Sequence, residues 1–61
     1  MYMLVKEPTG KLSEAFGVLD DAVGQDEFSE SEAVSALTQA LGEDGQKVWN
    51  NLKQGDYVME V

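Results

Sequence analysis

Cysteine, histidine and arginine are absent from this chain of 61 residues, and each absence excludes a kind of chemistry. Without cysteine there are no disulfides, and without cysteine or histidine there is no structural zinc site of the usual kind. Nucleophilic catalysis by a serine–histidine or cysteine–histidine pair is excluded for the same reason. A domain this small also has little room for a cleft that shifts carboxylate pKa values. We therefore expect a protein that is not an enzyme and that holds no cofactor and no metal.

Basic side chains are scarce: four lysines stand against twelve acidic residues, which gives a formal net charge of −8. Such an excess repels phosphate backbones. Three interpretations stay open. The acids form a solvated surface, or they are an adaptation to high salt, where repulsion between carboxylates is screened, or they form a face that binds a basic partner or mimics nucleic acid.

Long apolar runs are also lacking. The first residues show no apolar stretch behind a basic start, so we expect no signal peptide. No segment approaches the roughly 20 apolar residues that a membrane span needs. The sequence therefore predicts a cytoplasmic protein without membrane contact, folded as a single domain over residues 1–61.

Apolar spacing and end signals predict five secondary-structure elements. Short runs of strand-forming residues predict strands at residues 2–6 and 56–61. Apolar residues at spacings of three and four predict helices over residues 11–23, 30–41 and 44–54. The order strand, helix, helix, helix, strand indicates an α+β fold with three short helices and a small antiparallel sheet formed by the N- and C-terminal strands.

Several residues mark the ends of these helices. Ser29 and Glu32 predict a capping box, in which the Ser29 hydroxyl accepts from the Glu32 amide and the Glu32 carboxylate reaches back to the Ser29 amide. Gly45 is expected to weaken the first turn of the third helix. Three glycines are expected to end the helices: Gly24, Gly42 and Gly55.

The terminal sheet has consequences for association. Tyr2 and Tyr57, one in each predicted strand, are expected to be cross-strand neighbours. Both strands would keep a free edge, and a free edge is a site for pairing with another chain. We therefore expect a homodimer that completes a four-stranded sheet.

The C-terminal half resembles the core of a winged-helix domain. The resemblance covers residues 28–61, lacks the second wing strand, and is carried by Phe28, Ser29, Ala33, Leu37, Val48, Leu52, Gly55, Tyr57 and Val58. It implies a truncated winged-helix-like shape in which residues 44–54 take the place of the DNA-recognition helix. The polar residues that this helix would offer to nucleic acid are Lys47, Asn50, Asn51 and Lys53.

Three functions stay open at this point: an interaction module, a DNA-binding regulator, and an acidic decoy for a basic surface. The leading hypothesis is a small acidic interaction module that self-associates and binds an unidentified protein partner. The alternative is a small winged-helix-type DNA-binding transcriptional regulator adapted to high salt, although few lysines are available to neutralise phosphates. For the interaction module, the candidate contact residues are Tyr2, Leu4, Trp49, Tyr57 and Met59.

Two kinds of apolar side chain have more than one interpretation. Trp49 adjoins the apolar stripe of the third helix, so it is either a core residue or an interface anchor. Met1, Met3 and Met59 lie in the predicted strands, where they either fill gaps against the helices or form an adaptable contact surface.

Overall fold

A computed structural model describes residues 1–24 and 26–61. The predicted helix bounds are confirmed, except that the third helix begins one residue later and is preceded by a 3₁₀ turn. The elements, in chain order, are β1 (Tyr2–Leu4), α1 (Lys11–Val23), α2 (Glu30–Leu41), the 3₁₀ turn (Gly42–Asp44), α3 (Gly45–Gln54) and β2 (Val58–Glu60).

The two terminal strands pair antiparallel, as the sequence predicts. Met3 lies opposite Met59 at the centre of the ladder. Tyr2 lies opposite Glu60, so the prediction that Tyr2 and Tyr57 are cross-strand neighbours is wrong. The fold is thus α+β, with both ends of the chain in one small sheet on the helices.

β1 is shorter than predicted, because its regular ladder stops after Leu4. The amides of Val5 and Lys6 both donate to the Tyr57 carbonyl, at 3.1 and 3.3 Å. Two successive residues of one strand therefore face a single residue of the other, which interrupts the alternation that a strand requires.

β2 is shorter than predicted because residues 56 and 57 complete the end of α3. The Asp56 amide donates to the Lys53 carbonyl at 3.2 Å, and the Tyr57 amide donates to the Leu52 carbonyl at 3.1 Å. This is the hydrogen-bond pattern of a Schellman motif. Gly55 is the C-cap, as predicted. The left-handed residue is nevertheless Asp56, with φ of 62°.

The start of α2 forms only half of the predicted capping box. The Ser29 hydroxyl accepts from the Glu32 amide at 3.1 Å, as expected. The same hydroxyl also donates to Oε1 of Glu32 at 3.2 Å. The Glu32 carboxylate thus binds the Ser29 side chain, whereas the prediction placed it on the Ser29 amide.

The core is apolar throughout, with no buried polar or charged side chain in the described part of the chain. Trp49 is the largest buried residue and has no exposed surface. The rings of Tyr2 and Phe28 pack edge-on against its indole, at centroid distances of 5.1 and 5.9 Å. The core interpretation of Trp49 is therefore confirmed. The buried core residues are Ala15, Leu19, Phe28, Ala33, Leu37, Trp49, Leu52 and Val58.

Gly45, at the start of α3, lies against Thr38 of α2 beside the turn between the two helices. A Cβ atom added to Gly45 would lie 2.6 Å from the Thr38 amide nitrogen and 2.8 Å from the Thr38 Cα. Only glycine fits this contact without displacing backbone. The residue that was expected to weaken α3 is thus the residue that lets α3 pack on α2.

Candidate protein-interaction surface

The small sheet has one face against the helices and one face towards solvent. Side chains alternate between the two faces along each strand. Tyr2, Leu4 and Val58 pack against the core. Met3 and Met59 point to the opposite side by this alternation. We call the outer face these two residues together with their exposed neighbours Met1, Val5 and Val61, which lie just beyond the ladder.

None of these five residues is charged, although Lys6, Glu7 and Asp20 line the same groove as Met3 and Val5. Met1, Val5, Met59 and Val61 are each 46–53% exposed, while Met3 is half-buried. Every large hydrophobic side chain that is exposed within residues 1–24 and 26–61 lies on this face. A grouped set of exposed apolar side chains is typical of an interaction surface.

The hydrogen-bond ladder determines which backbone groups of β2 point outwards. The amides of Val61 and Val5 donate to carbonyls of the opposite strand, at 2.9 and 3.1 Å. Because bonded pairs alternate with non-bonded pairs in an antiparallel ladder, the amides and carbonyls of Val58 and Glu60 point away from β1. Among the residues that the structure describes, these outward groups have no backbone partner. The outward backbone groups of β2 are therefore unpaired in the described residues, on one exposed residue, Glu60, and one buried residue, Val58, which is 6% exposed.

The edge of β1 is partly occupied. The Tyr2 amide donates to the Phe28 carbonyl at 2.7 Å, and the Phe28 amide donates to the Tyr2 carbonyl at 2.9 Å. The segment before α2 thus lies beside β1 as a single antiparallel bridge. The expectation that both strands keep a free edge is wrong for β1 at this position, and the unpaired outward groups lie on β2.

Of the five predicted contact residues, only Met59 lies on the outer face. Trp49 is fully buried and offers no surface to a partner. Tyr2 and Leu4 are half-buried against the core. The Tyr57 ring is also half-buried, and the Lys6 ammonium lies 5.1 Å from its centroid.

The five predicted contact residues did not include Met1, Met3, Val5 or Val61, although Met1 and Met3 were considered with Met59 as an adaptable contact surface. Alternation around the Met3–Met59 pair places Met1 and Val61 on the same face, because residues two apart in a strand share a face. Val5 lies at the bulge, where the alternation is interrupted, so its exposure comes from the structure alone. The alternation depends on the register of the two strands, which the sequence does not state. Of the two interpretations of the methionines, gap-filling against the helices does not hold for Met1 and Met59, which are about half exposed.

A polar cluster joins the first turn of α2 to α3. Oε2 of Glu30 accepts from the Trp49 indole nitrogen at 2.7 Å and from the Lys53 ammonium at 2.8 Å. The Lys53 ammonium also lies 5.7 Å from the centroid of the Trp49 ring. The hydrogen bond from Lys53, followed by that from Trp49, lowers the pKa of Glu30. The same bond to Glu30 raises the pKa of Lys53.

The candidate nucleic-acid contacts lie on α3, but one of them, Lys53, is already part of an ion pair. Lys53 forms the ion pair with Glu30, so Lys47 is the one lysine of this helix outside that pair. Asn50 accepts a hydrogen bond from the Gln46 side chain at 3.2 Å, and Asn51 is exposed. Because affinity for nucleic acid depends on the number of free cationic side chains, α3 offers little to a phosphate backbone.

Within residues 1–24 and 26–61 there is neither a cluster of metal-ligating side chains nor a membrane-spanning helix. No group of three or more aspartate, glutamate, histidine or cysteine side chains is placed to hold a metal ion there. No helix in residues 1–24 and 26–61 combines the length and the apolar character needed to cross a membrane.

Comparison of the chain with known protein families, with curated proteins and with solved structures gives no match. Its function therefore has to be argued from the outer face and the unpaired backbone groups of β2.

Proposed function

We propose that this protein is a non-enzymatic interaction module that self-associates by adding the β2 strand of a second copy to its own β2. The observation that carries the proposal is the set of outward backbone groups on Val58 and Glu60, which lie beside the uncharged outer face. An edge with unpaired amides and carbonyls is a template for another strand. A second copy carries the same unpaired edge, so two copies related by a twofold axis can satisfy each other's backbone groups.

One register of the two β2 strands fits the outward groups best. When Met59 lies on the twofold axis, Val58 of each copy faces Glu60 of the other. Both residues point their backbone groups outwards, so this arrangement forms four hydrogen bonds between the copies. The resulting sheet has four strands, and the outer faces of both copies lie on the same side of it.

The neighbouring register is disfavoured by charge and backbone conformation. If Val58 faced its own counterpart, Glu60 would face Asp56 of the second copy. Like charges directly opposite each other destabilise a sheet. Asp56 is also left-handed, with φ of 62°, and cannot continue a strand.

The sheet also supports the winged-helix-like interpretation of the fold. In this interpretation β2 corresponds to the first wing strand, and its antiparallel pairing with β1 gives it a neighbour in place of the missing second wing strand. No contact favours the DNA-binding alternative, since Lys53 is already held by Glu30.

Sedimentation equilibrium of three proteins tests the proposal. Glu60→Pro removes an outward amide and no bond of the β1–β2 ladder, and proline is tolerated at such an edge position. Glu60→Thr makes the same change in charge but keeps the amide. We expect wild type and Glu60→Thr to associate in 1 M salt, where repulsion is screened over about 3 Å, and Glu60→Pro to stay monomeric.

Two results of that experiment would contradict the proposal. One is a wild-type protein that is monomeric at every concentration although circular dichroism shows it folded. The other is a folded Glu60→Pro variant that associates as strongly as wild type, because the outward amide of residue 60 would then play no part.

A further inference from the structure

We infer that ionic strength controls the folding of this chain, so that the folded state is stable in high salt and loses most of its stability in dilute solution. This inference does not depend on the proposed pairing of β2 strands. It rests on where the charges lie in the folded chain and on how small a core opposes their repulsion.

Folding concentrates the net charge of −8 in a small volume. The folded chain has a Cα radius of gyration of 9.9 Å, whereas an unfolded chain of this length has a radius of gyration of about 24 Å. Repulsion between like charges rises as the distance between them falls, so folding raises the electrostatic energy of the chain. The charges therefore favour the unfolded state wherever salt does not screen them.

Ion pairs do little to offset this repulsion. All twelve acidic side chains are exposed. Within residues 1–24 and 26–61, Glu30 is the one acid that forms an ion pair, and its partner is Lys53. Because an exposed ion pair contributes little to stability, this pair does not balance the other acids.

The end of α1 adds a local repulsion to that of the whole chain. Asp20 and Asp21 lie in the last turn of α1, which contains no basic residue. The carboxyl end of a helix carries a partial negative charge, so it disfavours carboxylates, and salt screens this effect as well. The two aspartates therefore act in the same direction as the net charge.

The interactions that oppose the repulsion are few, because the buried core has only eight apolar residues. Salt decides which side prevails. At 0.01 M salt the Debye length is about 30 Å, longer than the 26 Å that the domain measures along its longest axis. At 1 M salt the Debye length is about 3 Å, so charges on opposite sides of the domain no longer interact. The long-range part of the repulsion is thus removed between these two conditions.

Urea unfolding of wild type in about 0.01 M and about 1 M sodium chloride, followed by circular dichroism, tests the inference. We expect the folding equilibrium constant to be about a hundredfold larger at the higher salt concentration. Each condition is measured at two protein concentrations, because self-association would make the apparent stability depend on concentration.

A variant with half the net charge tests whether charge is the cause. Removing four negative charges leaves −4, and because self-repulsion scales with the square of the charge, we expect the rise with salt to shrink to about threefold. The control keeps the net charge of −8 by exchanging the acids at the same positions, so it should respond to salt as wild type does. The charge-reduced variant carries Asp20→Asn, Asp21→Asn, Asp26→Asn and Glu27→Gln, and the control carries Asp20→Glu, Asp21→Glu, Asp26→Glu and Glu27→Asp.

Two results would overturn the inference. One is a wild-type protein whose folding equilibrium constant is the same at both salt concentrations. The other is a folded −4 variant that responds to salt as strongly as wild type, since salt would then act through something other than the net charge. Asp21→Lys, which leaves a net charge of −6, makes the same test with one substitution if the fourfold variant does not fold. Its rise with salt should be about tenfold, and a rise equal to that of wild type contradicts the inference.

Discussion

The indole nitrogen of Trp49 donates its one hydrogen bond to Glu30, at 2.7 Å from Oε2. Trp49 is otherwise enclosed by apolar side chains, and a buried donor without an acceptor is costly. Glu30 is exposed enough to stay charged and lies in the first turn of α2, where the helix dipole favours a carboxylate. The polar end of the core tryptophan is thereby satisfied at the surface.

Glu30→Gln should remove a pH dependence of stability. The pKa of Glu30 is lowered in the folded state, so its contribution is present above the ordinary glutamate value, about 4.3, and is lost as pH falls through the folded pKa. The pKa of Lys53 is raised, so its contribution is present below the ordinary lysine value, about 10.4, and is lost as pH rises through the folded pKa. Urea unfolding midpoints measured across pH should fall at both ends less steeply in the variant.

Glu7→Gln is the matched control for that experiment. Glu7 is exposed and forms no ion pair with the residues that the structure describes. Its variant should keep the pH profile of wild type. Identical profiles for wild type and Glu30→Gln would show that the Glu30–Lys53 pair makes no difference between the folded and unfolded states.

Gly45→Ala and Gly17→Ala should change stability in opposite directions. A Cβ at Gly45 would meet the Thr38 backbone, so the variant should lose about 1–3 kcal/mol, as overpacked sites do. A Cβ at Gly17 meets nothing within 4 Å and lies within α1, so that variant should gain about 0.4–1 kcal/mol. Chemical unfolding of the two variants measures both changes. Equal effects at the two positions would contradict the close approach of α2 and α3.

Asp56→Gly should stabilise the protein by about 1 kcal/mol, because glycine adopts the left-handed conformation without the cost that a side chain brings. The change also removes one negative charge. Asp56→Asn removes the same charge without adding the freedom of glycine, so it should give a smaller gain. Thermal unfolding of the two variants separates the two effects. A larger gain for Asp56→Asn than for Asp56→Gly would show that the cost at residue 56 comes from its charge and not from its backbone conformation.

Duplex DNA should not bind measurably at physiological salt. Lys53 is paired with Glu30, and the chain carries a net charge of −8. Fluorescence anisotropy of a labelled duplex, titrated with protein at several salt concentrations, measures this directly. Binding that weakens linearly with the logarithm of salt, and that Lys47→Glu abolishes, would instead support the DNA-binding alternative.

The helices of this fold are predictable from the sequence because their end signals are local. Ser29 precedes α2 as a side-chain cap, and Gly24 and Gly42 follow α1 and α2 with positive φ. Each signal acts over three or four residues, so no knowledge of the tertiary structure is needed.

The register of the sheet and the role of Gly45 were not predictable in the same way. Tyr2 pairs with Glu60, 58 positions along the chain, and also with Phe28. Both pairings depend on the packing of the helices, which brings these distant segments together. Gly45 has a low intrinsic helix propensity, but its lack of a side chain allows the close contact with Thr38. The outer face depends on that same register, which is why only its three methionines were considered for contact from the sequence, and Val5 and Val61 were not.

Hydrogen exchange at the edge of β2 tests the central claim most directly. The amides of Val58 and Glu60 point away from β1, whereas the Met59 amide points towards it and serves as an internal reference. We expect protection of the Val58 and Glu60 amides to rise with protein concentration in 1 M salt, while the Met59 amide changes little. Fast exchange of Val58 and Glu60 at every concentration, in a folded protein, would contradict the addition of a second copy at this edge.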